Sequence, residues 1–268
     1  MPDHSLSQTL AADSTLSGVR SVPLFKLLRL AAEITRGGLI LWLQFPRLGR
    51  DGRLVEIQRW AQNILQILEI EVQCDGVRGA PHAALVVANH LSWLDVLVVQ
   101  SLMPGVFVAK SEVRHWPLIG SMAAACATIF VDRSSRQSAR TMVDGTLAAF
   151  AQGYSVVAFP EGTSSDGSDL AAFHANIFEG AIKAQTQIQP LTLRYVHAHS
   201  GLPSKEALFI DDMTLASSLR SVLKSSSIRS HVHVGGAISS LGHNRKSLAH
   251  QAHQSIREQL TRQSQSLA

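Results

Sequence analysis

The chain has 268 residues, 46% of them hydrophobic and only 16% charged, which excludes a wholly disordered protein and is too few charges for a surface that meets water everywhere. A formal net charge of +4, a pI near 9.4 and a mean hydropathy of +0.11 suit an anionic partner: a membrane surface first, then an acidic thioester cofactor. Aromatic residues at 6%, with no Lys/Arg run interleaved with aromatics, speak against nucleic acid.

Residues 1–21 read as a polar tail: Asp3 and Asp13 occur in it and an apolar signal core does not. Residues 22–45 are strongly apolar but interrupted by Lys26, Arg29, Glu33 and Arg36. The longest uncharged piece, residues 37–46, falls short of the roughly 20 residues that span a bilayer. On a helix these charges form one narrow stripe, with Leu24, Leu27, Leu28, Leu30, Ala31 and Ile34 around it. That pattern predicts an interfacial helix lying in headgroups, anchored by Trp42 and Phe45; the plainer alternative is a helix buried against the domain.

A second helix is expected over residues 53–70, so residues 22–70 are expected to form a two-helix membrane-docking unit. Strands and helices then alternate. Strands are expected at 69–74, 84–88, 106–109, 128–131, 155–159 and 188–196, and helices from 92, at 118–127, 137–152 and 176–185. Further strands are expected at 207–210 and 232–238 and a helix at 245–262, with a Ser-rich surface stretch at 217–230 and a polar tail at 263–268. This order predicts an α/β domain over residues 71–262, a mixed, largely parallel sheet flanked by helices. Cys74 and Cys126 are the only cysteines. Without C-x-x-C spacing they argue against a disulfide framework or zinc site and for a reducing, cytosol-facing environment. His231, His233, His243, His250 and His253 lack a fixed ligand pattern, and no metal is expected.

Two strand ends carry chemistry. LVVANHLSWLD (residues 85–95) delivers a buried strand to Asn89, His90, Ser92 and Asp95. His90 and Asp95 can face each other across a strand-to-helix turn as a proton-transfer pair, while Ser92-x-x-Asp95 can equally be a helix cap. VVAFPEGTSS (residues 156–165) is a second apolar strand ending in a polar, Gly-containing turn, where α/β sheets gather ligands. No G-x-S-x-G elbow occurs, so a serine hydrolase is unsupported.

Asn89-His90 with Asp95, FPEGT at 159–163, Pro190 in IQPLTLRY, and FVAKSEVRHWPLIG followed by IFVDR together resemble the motifs of the glycerolipid acyltransferase family, which includes 1-acylglycerol-3-phosphate acyltransferases. In the FVAKSEVRHWPLIG and IFVDR segments, Lys110, Pro117, Gly120 and Arg133 stand at the matching positions. The resemblance covers residues 54–195, and the N-terminal helices look like the membrane-docking pair of bacterial members.

It implies transfer of an acyl group from acyl carrier protein or coenzyme A, as co-substrate, onto a lysolipid hydroxyl, with no bound cofactor or metal. His90 is implied as general base and Asp95 as its orienting carboxylate. Asn89, Lys110, Arg133, Glu161, Gly162, Thr163, Ser164 and Ser165 are implied as substrate contacts, with backbone N–H groups near Gly162 stabilising the oxyanion.

The family's commonest third motif has Arg where this chain has Ser164, and often a base where it has Phe173-His174. EGTSSDG, AKSEVRHWPLIG and NHLSWLD look closest to the lyso-ornithine lipid subgroup, whose acceptor lacks phosphate; lysophosphatidic acid stands as the alternative. Membrane association at the cytoplasmic face of the inner membrane is expected. The rival is a non-catalytic lipid-binding or membrane-remodelling protein on the same fold.

Overall fold

Short aliphatic runs build the centre of the molecule. In the computed structural model, which describes residues 22–76, 83–132, 136–225 and 227–265, β2 (Leu85–Ala88), β3 (Val106–Lys110), β4 (Ile129–Val131), β5 (Val156–Ala158) and β6 (Gln187–His197) lie parallel. With β1 (Ile70–Gly76) and β7 (Ile228–Val234) the order is β1-β7-β6-β2-β5-β3-β4. β7 runs antiparallel to β6, and the two-residue β8 (Ile238–Ser239) pairs with β6 as well.

All four residues of β2 and all three of β5 are buried, because helices cover both faces of a parallel sheet. Leu85 and Val87 pack with Val156, Phe178, Ile188 and Leu248 on one face. Val86 and Ala88 pack with Ile64, Leu94, Val98, Leu191 and Leu193 on the other. The first face holds α5 (Arg136–Ala151), α6 (Glu179–Lys183) and α8 (Arg245–Gln265); the second holds α2 (Arg50–Ile67), α3 (Leu94–Leu102) and α7 (Leu215–Lys224). The mixed, largely parallel sheet flanked by helices agrees with the sequence expectation.

Four expectations in the second half are corrected. Residues 207–210 are not a strand. A 3-10 turn (Lys205–Ala207) leads into a strap whose Phe209 N–H bonds to Leu91 O, so its hydrogen bonds go to a loop while β7 takes the place beside β6. The Ser-rich stretch contains α7, which Thr214 caps by accepting from Ser217 N. Leu215, Leu219, Val222 and Leu223 give α7 an apolar face, and its buried Ser218 accepts the Trp93 indole N–H at 3.0 Å. The helix expected at 176–185 is divided into a 3-10 turn (Ala175–Phe178) and α6. The tail expected at 263–268 continues α8 through Gln265, and the tail at 1–21 lies outside the described residues.

α1 (Leu24–Leu39) runs into a π-helical turn (Ile40–Gln44) and packs against α2 with Lys26, Glu33 and Arg36 of its polar stripe turned toward the domain and Arg29 exposed. Lys26 is 6% exposed and pairs with Glu69 at 2.7 Å. Glu33 accepts from the Arg36 guanidinium and the Asn63 amide, and burial, outweighed by these partners, leaves its carboxyl below the usual range. Leu24, Phe25, Leu28 and Trp42 face outward at 69%, 57%, 62% and 74% exposure. Each such side chain forgoes about 1.5–3 kcal/mol of burial. Phe45, expected as an anchor beside Trp42, is instead buried against Arg53, whose guanidinium lies 5.8 Å from its ring. Among the described residues no helix is long and apolar enough to cross a membrane.

The contact of α1 with α2 is set at Gly37. A Cβ there would come within 2.5 Å of Trp60 Nε1, which is already held by Glu33 O, and 3.2 Å of Met122 Cε; at Gly38 it would meet nothing. Gly37→Ala is expected to lower stability by about 1–3 kcal/mol through overpacking. Gly38→Ala should raise it by about 0.5–1 kcal/mol through helix propensity. Urea midpoints of the two variants check this, and equal midpoints would contradict the packing described.

Candidate active site

β2, β5 and β3 are neighbours, and their carboxyl ends carry the three loops that the sequence marks for chemistry. Leaving β2, the chain places His90 in the turn and Asp95 in the first turn of α3. His90 Nδ1 lies 2.8 Å from Asp95 Oδ2. That oxygen also accepts the backbone N–H of Leu91 at 2.7 Å and of Ser92 at 2.9 Å. Cap and dyad are therefore one structure: the carboxylate that satisfies the free N–H groups of the helix start also holds the imidazole.

A carboxylate only accepts, so Nδ1 carries the proton and Nε2 is left with its lone pair. The ring plane is fixed separately by Phe159, stacked at 4.2 Å between centroids and 8° between planes. Asp95 is fully buried, while the His90 side chain keeps 22% of its surface open. A base held by its back edge and by one face, with its other nitrogen unbonded among the described residues, can take a proton from a hydroxyl brought to it.

Tyr195 completes the carboxylate's environment, and sequence reasoning missed it. Its hydroxyl donates to Asp95 Oδ1 at 2.7 Å. Burial, then the charge of Asp95, pushes the phenol well above its usual range, so it remains a donor. The signal was available: Leu191, Leu193 and Tyr195 alternate along one buried face of β6, and a Tyr at the end of such a run needs a partner for its hydroxyl.

Several expected substrate contacts are placed elsewhere. Asn89 is 2% exposed, and its side-chain amide donates to Leu193 O at 3.0 Å and accepts from Leu193 N at 2.7 Å, extending the pairing of β2 with β6. Glu161 is 6% exposed; its two oxygens accept from His90 N at 2.7 Å and Ala171 N at 3.0 Å. Burial raises its carboxyl above the usual range against the pull of those two N–H groups. Both residues position the His90 turn from behind.

The Gly162 N–H is used by Phe159 O, and Ser165 N–H by His90 O, so neither is a free oxyanion donor. The Ser164 hydroxyl donates to Phe209 O, and the Ser165 hydroxyl accepts from Gly167 N. Thr163 is exposed, and the N–H groups of Thr163 and Ser164 have no acceptor among the described residues. Lys110 is exposed at the end of β3. Arg133 lies outside the described residues. Trp93, between His90 and Asp95, is tied to α7 through its indole N–H. Among the described residues no group of three or more His, Cys, Asp or Glu is arranged to hold a metal ion.

Comparison with known proteins places this geometry in context. The family model described as Acyltransferase matches residues 70–194. The lyso-ornithine lipid O-acyltransferase of Pseudomonas aeruginosa is 34% identical over 200 residues, covering 74% of this chain and 75% of that protein. Its namesake in Rhizobium meliloti is 33% identical over 217 residues, 76% and 74% of the two chains. The 1-acyl-sn-glycerol-3-phosphate acyltransferase of Neisseria gonorrhoeae is 36% identical over 115 residues, 43% and 45%. The crystal structure of the 1-acyl-sn-glycerophosphate acyltransferase of Thermotoga maritima has a TM-score of 0.63 at 16% identity, covering 89% of this chain and 96% of that one, a likeness of fold.

Removing the phenol hydroxyl leaves Asp95 Oδ1 with one donor fewer in a site without exposed surface. Tyr195→Phe is expected to cost about 1.5–3 kcal/mol, as a hydrogen bond to a charged group does. A urea midpoint unchanged from wild type would contradict that accounting.

Proposed function

This chain belongs to the acyltransferase family and is a lysolipid O-acyltransferase; from that premise we propose that its acceptor is lyso-ornithine lipid and its donor an acyl thioester of acyl carrier protein or coenzyme A. His90 Nε2 takes the proton of the acceptor hydroxyl as the oxygen attacks the thioester carbonyl, and Asp95 balances the imidazolium that forms. The N–H groups of Thr163 and Ser164, which lack acceptors among the described residues, stabilise the oxyanion. On collapse the thiolate leaves and His90 returns the proton to it. The co-substrate supplies the activated acyl group, so the step draws on no resident cofactor or metal.

The observation that carries the choice of acceptor is the closure of the Ser164 hydroxyl on Phe209 O, at the position where the family's commonest motif has Arg. Its one proton is spent within the protein. The strap it binds continues into exposed Asp211 and Asp212, and Asp166 stands two residues beyond Ser164. The hydroxyl and N–H of Ser168 hold the Asp166 carboxyl below its usual range. A rim of carboxylates suits the ammonium group of an ornithine headgroup and repels a phosphate dianion. The outward apolar face of α1, with Trp42 at its end, suits docking in the headgroup layer of an anionic leaflet on the cytoplasmic side, where such acceptors reside.

Purified protein given acyl thioester with either lyso-ornithine lipid or lysophosphatidic acid decides the acceptor. A preference of at least tenfold in kcat/KM for lyso-ornithine lipid is expected, and both activities should vanish in His90→Ala. Equal use of the two lipids, or preference for lysophosphatidic acid, would contradict the acceptor assignment.

A further inference from the structure

Between Trp116 and Val131 the chain has 16 residues without a charge, in a protein that is otherwise basic. The segment includes α4 (Ile119–Ala125), and it is not buried as such a run ordinarily would be. Leu118 is 54% and Ile119 40% exposed, and Pro117, Ala124, Ala125 and Ala127 are exposed too. The one polar side chain on α4, Ser121, turns its hydroxyl back onto Leu118 O.

The display is built rather than loose. Leu118 is held at φ 64°, a left-handed conformation that costs a branched apolar residue about 1–3 kcal/mol. Gly120 beside it sits so close to Arg114 that a Cβ would come within 2.1 Å of that carbonyl oxygen. An apolar pair kept exposed at the expense of backbone strain indicates a surrounding other than water.

Two observations say which surrounding. α4 meets the N-terminal helix where Met122 Cε approaches Gly37, which sets it beside the helix that runs on through the exposed Leu39 into the turn bearing Trp42 and Leu43. Lys110 and Arg114, which flank the exposed Glu112 just before the segment, are exposed and form no ion pair with a carboxylate among the described residues; the Arg114 guanidinium lies 5.5 Å from the Phe130 ring. Apolar side chains bordered by unpaired cations match an anionic lipid surface, tails below and phosphates alongside.

We propose that residues 117–128 are a second membrane contact, which sets the catalytic end of the sheet against an anionic bilayer. The inference rests on the membrane docking assigned above to α1 and adds a place. β3 leads into the segment and β4 returns beside β3, while β5 with Phe159 and Glu161 flanks β3 on its other side. The bilayer is then met one strand away from the loop that holds His90, so a lysolipid need not leave it fully to reach the base.

The test uses the full chain and vesicles of phosphatidylglycerol and phosphatidylethanolamine. Leu118→Ser with Ile119→Ser should lower the vesicle-bound fraction at least fivefold and slow acylation of vesicle-borne lysolipid. Activity on a short-chain lysolipid dissolved as monomer should stay within twofold of wild type, since neither residue touches the reacting groups. Leu118→Trp, which keeps an interface-seeking side chain, should bind as well as wild type or better. Unchanged binding by the double variant would overturn the inference, as would an equal loss on the monomeric acceptor. If the wild type proved dimeric and the double variant monomeric with vesicle binding intact, the inference would be overturned in favour of a protein interface. Leu28→Ser with Trp42→Ser separates the two claims: if it releases the protein while the α4 variant does not, only the second contact fails, and if neither does, docking through α1 fails as well.

Discussion

A carboxylate without exposed surface, taking four donors, is the constraint on which the His90 end of the sheet depends. Burying an ion costs several kcal/mol unless its oxygens are satisfied. Asp95 is satisfied only when α3 starts at the right residue, when the β2 turn brings His90 back to it and when β6 delivers Tyr195. The supporting residues serve the same end. Asn89 locks the end of β2 to Leu193 on β6, and Glu161 reaches from the β5 loop to the His90 backbone. A change at any of these positions shifts where the imidazole sits, and a displacement of about 1 Å is enough to cost a large factor in rate.

The N-terminal helix follows the opposite economy. Lys26 is satisfied by Glu69 and Glu33 by Arg36 and Asn63 on its covered side, beside Leu30 and Ile34, while Leu24, Phe25, Leu27 and Leu28 are left outside with Arg29. The same periodicity read from sequence indicates an amphipathic helix but not which face is covered, because both solutions have the same spacing. α2, grouped with α1 in the sequence reading, contributes Ala61, Ile64, Leu65 and Ile67 to the main core, to which α1 adds Leu30.

The alternation of strands and helices was legible because parallel strands buried on both faces appear as bare aliphatic runs, Leu85 to Ala88 and Val156 to Ala158 above all. The dyad was legible because its two members are five residues apart on one turn. What could not be read were partners distant in sequence. Tyr195 is 100 residues from Asp95, Glu161 is 71 from His90, and Phe209 is 45 from Ser164. Asn89 and Glu161 stand inside motifs whose polarity suggests ligand contact, and only the fold shows that backbone groups use both ends of each. α7 was obscured by serines whose weak helix propensity is offset by the Thr214 cap and by burial of Ser218 against Trp93.

At the centre stands the claim that Asp95 makes His90 a base by fixing its tautomer and balancing its charge. Asp95→Asn tests it most directly, since the side chain keeps its shape while one acceptor oxygen becomes a donor. With the folding transition retained and lysolipid binding close to wild type, kcat for acyl transfer should fall by about 10³- to 10⁴-fold, as when the carboxylate behind a catalytic imidazole is neutralised. A folded Asp95→Asn protein whose kcat stays within tenfold of wild type would contradict the claim.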